Sequence, residues 1–251
     1  MKKLMAANWK MHKTRSEAEE TARKLVDLVG VPPDGREVLI IPTFTALGAV
    51  AGAISGNSGY HLGGQNFYPD KEGAYTGEIS PEMLLDACCE YALAGHSERR
   101  HVFGEDDGFV GKKTAYGLDN GLKVILCIGE TLDQRKSGQV AEVISRQLEK
   151  GLEQADPEKM SADNLVVAYE PVWAIGTGET AGPEEIAEAH GIVRRELEKT
   201  FSGNASEVRI LYGGSVKPDN ASEIISLDNV DGVLVGGASL QAESFSKIIT
   251  A

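Results

Sequence analysis

The chain is short of cysteine, aromatic residues, positive charge and long apolar runs, and each shortage excludes something. Three cysteines stand among 251 residues. Two of them, Cys88 and Cys89, are adjacent, and none forms a Cys-x-x-Cys pair. That pattern excludes a disulfide framework and a structural zinc site, and it fits the reduced thiols of a cytoplasmic protein. Five histidines and the acids around them fall at no metal-ligand spacing, so no metal is expected. Lys and Arg total 25 against 38 Asp and Glu, a net charge of −13, which argues against nucleic acid and anionic membrane as partners. The same excess does not forbid an anionic ligand, because surface charge is screened beyond about 8 Å at physiological salt. No apolar run approaches the roughly 20 residues of a membrane helix. Lys2 and Lys3 precede an apolar stretch that stops at Asn8-Trp9-Lys10, too short for the core of a secretion signal.

Present instead is an ordinary globular composition, 41% hydrophobic and 25% charged, arranged in a regular alternation. Short apolar runs at Leu4–Ala7, Val38–Ile41, Tyr60–Gly63, Tyr91–Ala94, Val124–Ile128, Leu165–Tyr169, Val208–Tyr212 and Gly232–Val235 read as strands. Amphipathic stretches between them read as helices: Ser16–Val29, Phe44–Ile54, Pro81–Ala87, Asp106–Asn120, Leu132–Leu152, Pro183–Phe201 and Ser239–Thr250. Ser80-Pro81-Glu82 carries a helix start, with proline at the first helical position. Strand–helix alternation predicts parallel strands joined by right-handed crossovers. Eight such units in about 250 residues predict an α/β fold, a single-domain (β/α)8 barrel over residues 1–251, with an open doubly wound sheet as the rival. One connection, Gln65–Ser80, is too long for its place. Its aromatics Phe67, Tyr68 and Tyr75 suggest an exposed partner surface, most simply a second copy of the chain.

In such a barrel the chemistry gathers on the residues just after each strand. The first strand delivers Asn8 and Lys10, the fourth His96 and the sixth Glu170. The seventh leads to Gly213-Gly214-Ser215 and the eighth to Gly236-Gly237. Glu170 opens a segment in which Pro171 stiffens one end, Trp173 and Ile175 supply an exposed apolar body, and Gly176 and Gly178 free the other. A carboxylate beside a water-excluding flap is what proton abstraction from a carbon acid needs. His96 precedes a plausible helical turn, Ser97-Glu98-Arg99-Arg100, whose positive end favours a neutral, hydrogen-bond-donating imidazole. The two Gly-Gly turns expose backbone N–H groups to an anion at the place where barrels hold phosphate, and Gly176 would add another on closure. Glu98 reads either as a buried ion-pair partner of Lys10 or as a surface acid. Cys127 reads as a buried core residue.

Six segments carry a resemblance to one family: Ala6-Ala7-Asn8-Trp9-Lys10-Met11, Ala94-Gly95-His96-Ser97-Glu98-Arg99-Arg100, Cys127-Ile128-Gly129-Glu130, Ala168 to Gly178, Tyr212-Gly213-Gly214-Ser215-Val216 and Val235-Gly236-Gly237-Ala238. In order and from Leu4 to Leu240, the chain resembles the triosephosphate isomerases. The resemblance implies interconversion of dihydroxyacetone phosphate and glyceraldehyde 3-phosphate in glycolysis and gluconeogenesis, without metal or redox cofactor. It implies Glu170 as base, His96 as neutral electrophile, Asn8 and Lys10 as the substrate-contacting pair, and Gly176, Ser215, Gly236 and Gly237 as phosphate-binding positions. It also implies a homodimer docked through the Gln65–Ser80 loop. Glu179 departs from the family, which often carries a basic residue there, and this bears on flap opening more than on chemistry. Another phosphosugar isomerase or epimerase barrel is the alternative, and such barrels commonly use metals or paired acids.

Overall fold

A computed structural model describes residues 1–175, 180–200 and 204–251. Its centre is a closed barrel of eight parallel strands in chain order: β1 (Lys3–Asn8), β2 (Arg36–Ile41), β3 (Tyr60–Gly64), β4 (Tyr91–Ala94), β5 (Lys123–Ile128), β6 (Leu165–Tyr169), β7 (Arg209–Tyr212) and β8 (Gly232–Val235). The open-sheet rival is thereby excluded, since β1 pairs with both β2 and β8. The strand sequences are apolar on both faces because both faces are covered. One set of side chains fills the barrel interior, including Leu4, Ala6, Leu39, Ile41, Leu93, Ile125, Cys127, Val166, Ala168 and Leu211. The alternate set, such as Met5, Ile40, Val124 and Val167, packs outward against the helices. Cys127 is thus a barrel-interior residue with no exposure, and burial pushes its thiol far up.

Among the described residues the outer layer comprises α1 (Arg15–Val29), α2 (Leu47–Ile54), α3 (Pro81–Asp86), α4 (Ser97–His101), α5 (Asp107–Asp119), α6 (Leu132–Lys136), α7 (Val140–Leu152), α8 (Pro183–Thr200), α9 (Ala221–Ser226) and α10 (Ala242–Thr250). Helix starts follow local chemistry. Thr14 caps α1, with Glu17 closing a capping box. Ser80 accepts the Met83 N–H at the start of α3. The stretch Leu132–Leu152 is two helices rather than one, because Gly138 sits at φ +71 between them. The short α9 carries too few apolar repeats to stand out in sequence. The end of the expected helix at Phe201 lies outside the described residues.

The connection Gln65–Ser80 contains neither helix nor strand. Its aromatics divide. Phe67 is fully buried and packs beside Gly117, so it anchors the loop instead of decorating its tip. Tyr75 is exposed and stacks against half-buried Tyr68, ring centroids 4.1 Å apart.

Candidate active site

Seven of the site residues expected from the sequence meet at the C-terminal mouth of the barrel. A cavity of about 370 Å³ is lined by Asn8, Lys10, His96, Glu170, Ser215, Gly236 and Gly237, together with Gly213, Gly214 and Lys217. Gly176, Gly178 and Glu179 fall outside the described residues.

Glu170 lies just past β6 and is almost wholly buried. Its Oε1 stands 3.0 Å from His96 Nε2, and its Oε2 accepts the backbone N–H of Ser97 at 2.9 Å. Burial is the largest influence on its pKa and raises it; His96, the Ser97 N–H and Lys10 outweigh burial and hold the carboxyl below its ordinary value. The carboxyl is therefore ionised. Two glycines seat it. Glu170 N–H donates to Ile128 O at 2.7 Å, so its backbone runs against Gly129, where an added Cβ would lie 1.8 Å from the Glu170 carbonyl oxygen. At Gly213 an added Cβ would lie 2.8 Å from Glu170 Cγ. The first Gly-Gly turn is thus also the wall behind Glu170.

His96 caps α4, its Nδ1 accepting the Glu98 N–H at 3.3 Å. That hydrogen bond reserves Nδ1 as an acceptor and puts the proton of a neutral ring on Nε2, facing Glu170. The five-residue α4 contributes little dipole, so this single N–H does what the sequence reading assigned to the helix. Burial lowers the His96 pKa, and the facing carboxylates of Glu170 and Glu98 outweigh it, leaving the ring above its ordinary value while Glu170 stands beside it.

Lys10 has φ +50, an unusual conformation for a lysine, fixed locally by Asn8 Oδ1 accepting its N–H at 3.0 Å and by Gln65 donating to its carbonyl at 2.8 Å. The bend turns the side chain back over the mouth. Its Nζ donates to Glu98 Oε1 at 2.7 Å, so Glu98 is the ion-pair partner of Lys10, though half-exposed rather than buried. Gly236 leaves room for Lys10: an added Cβ would meet Lys10 Cε at 3.2 Å. The second Gly-Gly turn is pinned by Trp9, whose indole donates to Ser239 O at 3.1 Å, and by Ser239 Oγ, which donates to Val235 O at 2.9 Å. Ser215 Oγ donates to Ala174 O at 3.1 Å and ties the β7 turn to the flap base.

Sequence reasoning missed the anchor of that flap. Trp173 is half-buried, not exposed, because its indole donates to Glu130 Oε1 at 2.9 Å. Glu130 has no exposure and also accepts from Tyr169 OH and Arg135. The Arg135 guanidinium lies 5.2 Å from the Trp173 ring and 3.1 Å from Glu185 at the start of α8. Glu130 directly follows the β5 turn, so reading the strand-end positions of β5 as closely as those of β6 finds it.

A closed parallel barrel with an ionised carboxylate, an imidazole, an ammonium and two glycine turns in one cavity defines an acid–base barrel enzyme built for a small anionic ligand. Comparison with known proteins narrows the class. The profile described as triosephosphate isomerase matches residues 3–251. The chain is 61% identical over 252 residues to the triosephosphate isomerase of Nitratidesulfovibrio vulgaris (strain DSM 19637 / Miyazaki F), covering all of both chains. It is 60% identical to that of Oleidesulfovibrio alaskensis, again over all of both chains. At 45% identity it covers 99% of the Aquifex aeolicus triosephosphate isomerase, with 99% of its own length aligned. The chain belongs to the triosephosphate isomerase family.

Proposed function

We propose that the chain interconverts dihydroxyacetone phosphate and D-glyceraldehyde 3-phosphate in glycolysis and gluconeogenesis. The observation that carries the reading is the placement of Glu170 Oε1 3.0 Å from His96 Nε2 beside Lys10 in one cavity. Glu170 takes the proton from the carbon next to the carbonyl, and the electron pair moves onto the carbonyl oxygen to give an enediolate. Asn8 and the Lys10 ammonium contact the substrate there, and Lys10 stabilises the negative charge. His96 serves that oxygen from Nε2. When a substrate oxygen replaces Glu170 as the partner of Nε2, the carboxylate that raised the ring's pKa has moved away. Burial then keeps the ring neutral and donating. The hydroxyl on the deprotonated carbon passes its proton to the enediolate oxygen, and Glu170 returns its proton to the former carbonyl carbon as the new carbonyl forms, so atoms balance with no net uptake or release. Gly176, Ser215, Gly236 and Gly237 hold the phosphate through backbone N–H groups, and no cofactor enters the scheme.

A coupled assay on either triose phosphate, with and without chelator, tests the activity. Glu170→Gln, which keeps the shape and removes the base, is expected to cut turnover on the order of 10³-fold while phosphate-bearing ligands still bind. Near-normal turnover would remove Glu170 from the role.

The working form we propose is a cytoplasmic homodimer without nucleic-acid or membrane partners. No helix among the described residues is long and apolar enough to cross a membrane. Supporting the dimer, exposed Met11, Met83, Val102 and Phe103 join Tyr75 of the Gln65–Ser80 loop as apolar surface in search of cover. Light scattering at micromolar concentration should give twice the chain mass; a fully active monomer would refute the docking role of the loop.

A further inference from the structure

The cavity carries one cation that the scheme above leaves unused. Lys217 lines it beside Ser215 and Gly236, is exposed, and takes part in no ion pair among the described residues. Asp219, two residues on, makes none with it either. Its backbone is nevertheless fixed: the Lys217 N–H donates to Asn220 Oδ1 at 2.7 Å, and Asn220 Nδ2 donates to Ser215 O at 3.1 Å. Pro218 stiffens the next step. The turn that sets Ser215 therefore also sets where the Lys217 side chain leaves the backbone.

The charges on the wall show what such an ammonium is for. Lys10 is compensated by Glu98 at 2.7 Å, and Glu170 is an ionised carboxylate in the same space. Without Lys217 these groups leave the mouth net negative, on a chain that already carries −13. A phosphate dianion arriving there is repelled until it reaches the glycine amides. Lys217 brings the local sum to zero and puts the free positive charge on the Ser215 turn.

We propose that Lys217 is a substrate-capture residue: an unpaired rim ammonium that draws the phosphate dianion onto the Ser215 turn without taking part in the proton transfers. This deepens the isomerase reading and rests on it. Charge at a rim changes association and its salt dependence more than the chemistry within. For Lys217→Gln the expected result is a fall in kcat/KM for the triose phosphate on the order of fivefold at about 10 mM salt, fading at about 0.3 M. KM should carry the loss, with kcat changing less than about twofold. Lys217→Arg should restore capture, and the unphosphorylated triose glyceraldehyde should show no such loss. Unchanged kcat/KM at low salt, a loss that ignores salt, or an equal loss with glyceraldehyde would each overturn the proposal. Calorimetric binding of inorganic phosphate, read without turnover, separates it from the isomerase reading. Weaker binding by Lys217→Gln supports capture even if triose phosphate is not turned over, and equal binding refutes it.

Discussion

Gly129→Ala tests whether Glu170, the proposed base, is placed by backbone contact. An added Cβ would lie 1.8 Å from the Glu170 carbonyl oxygen, 2.6 Å from its carbon and 3.2 Å from its nitrogen. Ordinary van der Waals contact needs well over 3 Å, so the two backbones must part by more than about 1 Å. No rotamer change relieves the clash, because every atom met is main chain. Gly129 is also held from behind, donating to Gln147 Oε1 at 2.7 Å and accepting from Gln147 Nε2 at 3.3 Å, so the displacement falls on Glu170. A shift of about 1 Å at a reacting group costs on the order of 10²-fold in rate, and overpacking of this kind destabilises by about 1–3 kcal/mol. The measurement is kcat in the coupled assay, with circular dichroism and a thermal melt to confirm the fold. Gly213→Ala provides a milder step, since its Cβ would press on the Glu170 side chain at 2.8 Å; a loss on the order of tenfold is expected. Gly52→Ala, in exposed helical surface with nothing within 4 Å of its built Cβ, should leave the rate alone and stabilise by about 0.5–1 kcal/mol. Folded Gly129→Ala and Gly213→Ala proteins with rates within about threefold of the parent would refute the argument.

Two further outcomes follow from charge. Lys10→Ala removes the ammonium that pairs with Glu98 beside Glu170, so kcat/KM should fall on the order of 10³-fold, with both KM and kcat affected; unchanged kinetics would make Lys10 a bystander. His190 is fully buried in α8, shares a hydrogen bond of 2.8 Å between Nδ1 and Asn229 O, and is pushed down to about 4 by burial. Its folded pKa lies below the ordinary 6.5, so the stability it supports is complete above pH 6.5. That stability is lost as pH falls toward 4, up to about 3 kcal/mol. Denaturant midpoints from pH 7 to 4.5 should show this loss and His190→Asn should flatten it. Parallel slopes in the two proteins would refute the assignment.

What the sequence could convey, and what it could not, divides along the range of the interactions. The barrel was legible because strands buried on both faces must be apolar throughout, and eight such runs alternate with amphipathic helices. The positions after the strands were legible because a closed barrel puts them on one rim, which brought Asn8, Lys10, His96, Glu170, Ser215, Gly236 and Gly237 into a single cavity. Contacts set by distant chain segments were not legible. Trp173 looks like an exposed flap residue until Glu130, 43 positions earlier in sequence, is seen accepting its indole N–H. Phe67 looks like a docking aromatic until Gly117 is seen making room for it. Gly213 reads as part of an anion-binding turn and Gly129 as one position in a shared segment, yet at each Glu170 occupies the space where a side chain would stand. The imidazole of His96 teaches the same lesson in electrostatics. Its expected neutrality rested on a helix that proves to be five residues long. A single backbone N–H at 3.3 Å and a carboxylate 3.0 Å away pull its charge state in opposite directions. Which one prevails depends on where Glu170 stands, and no local sequence pattern encodes that distance.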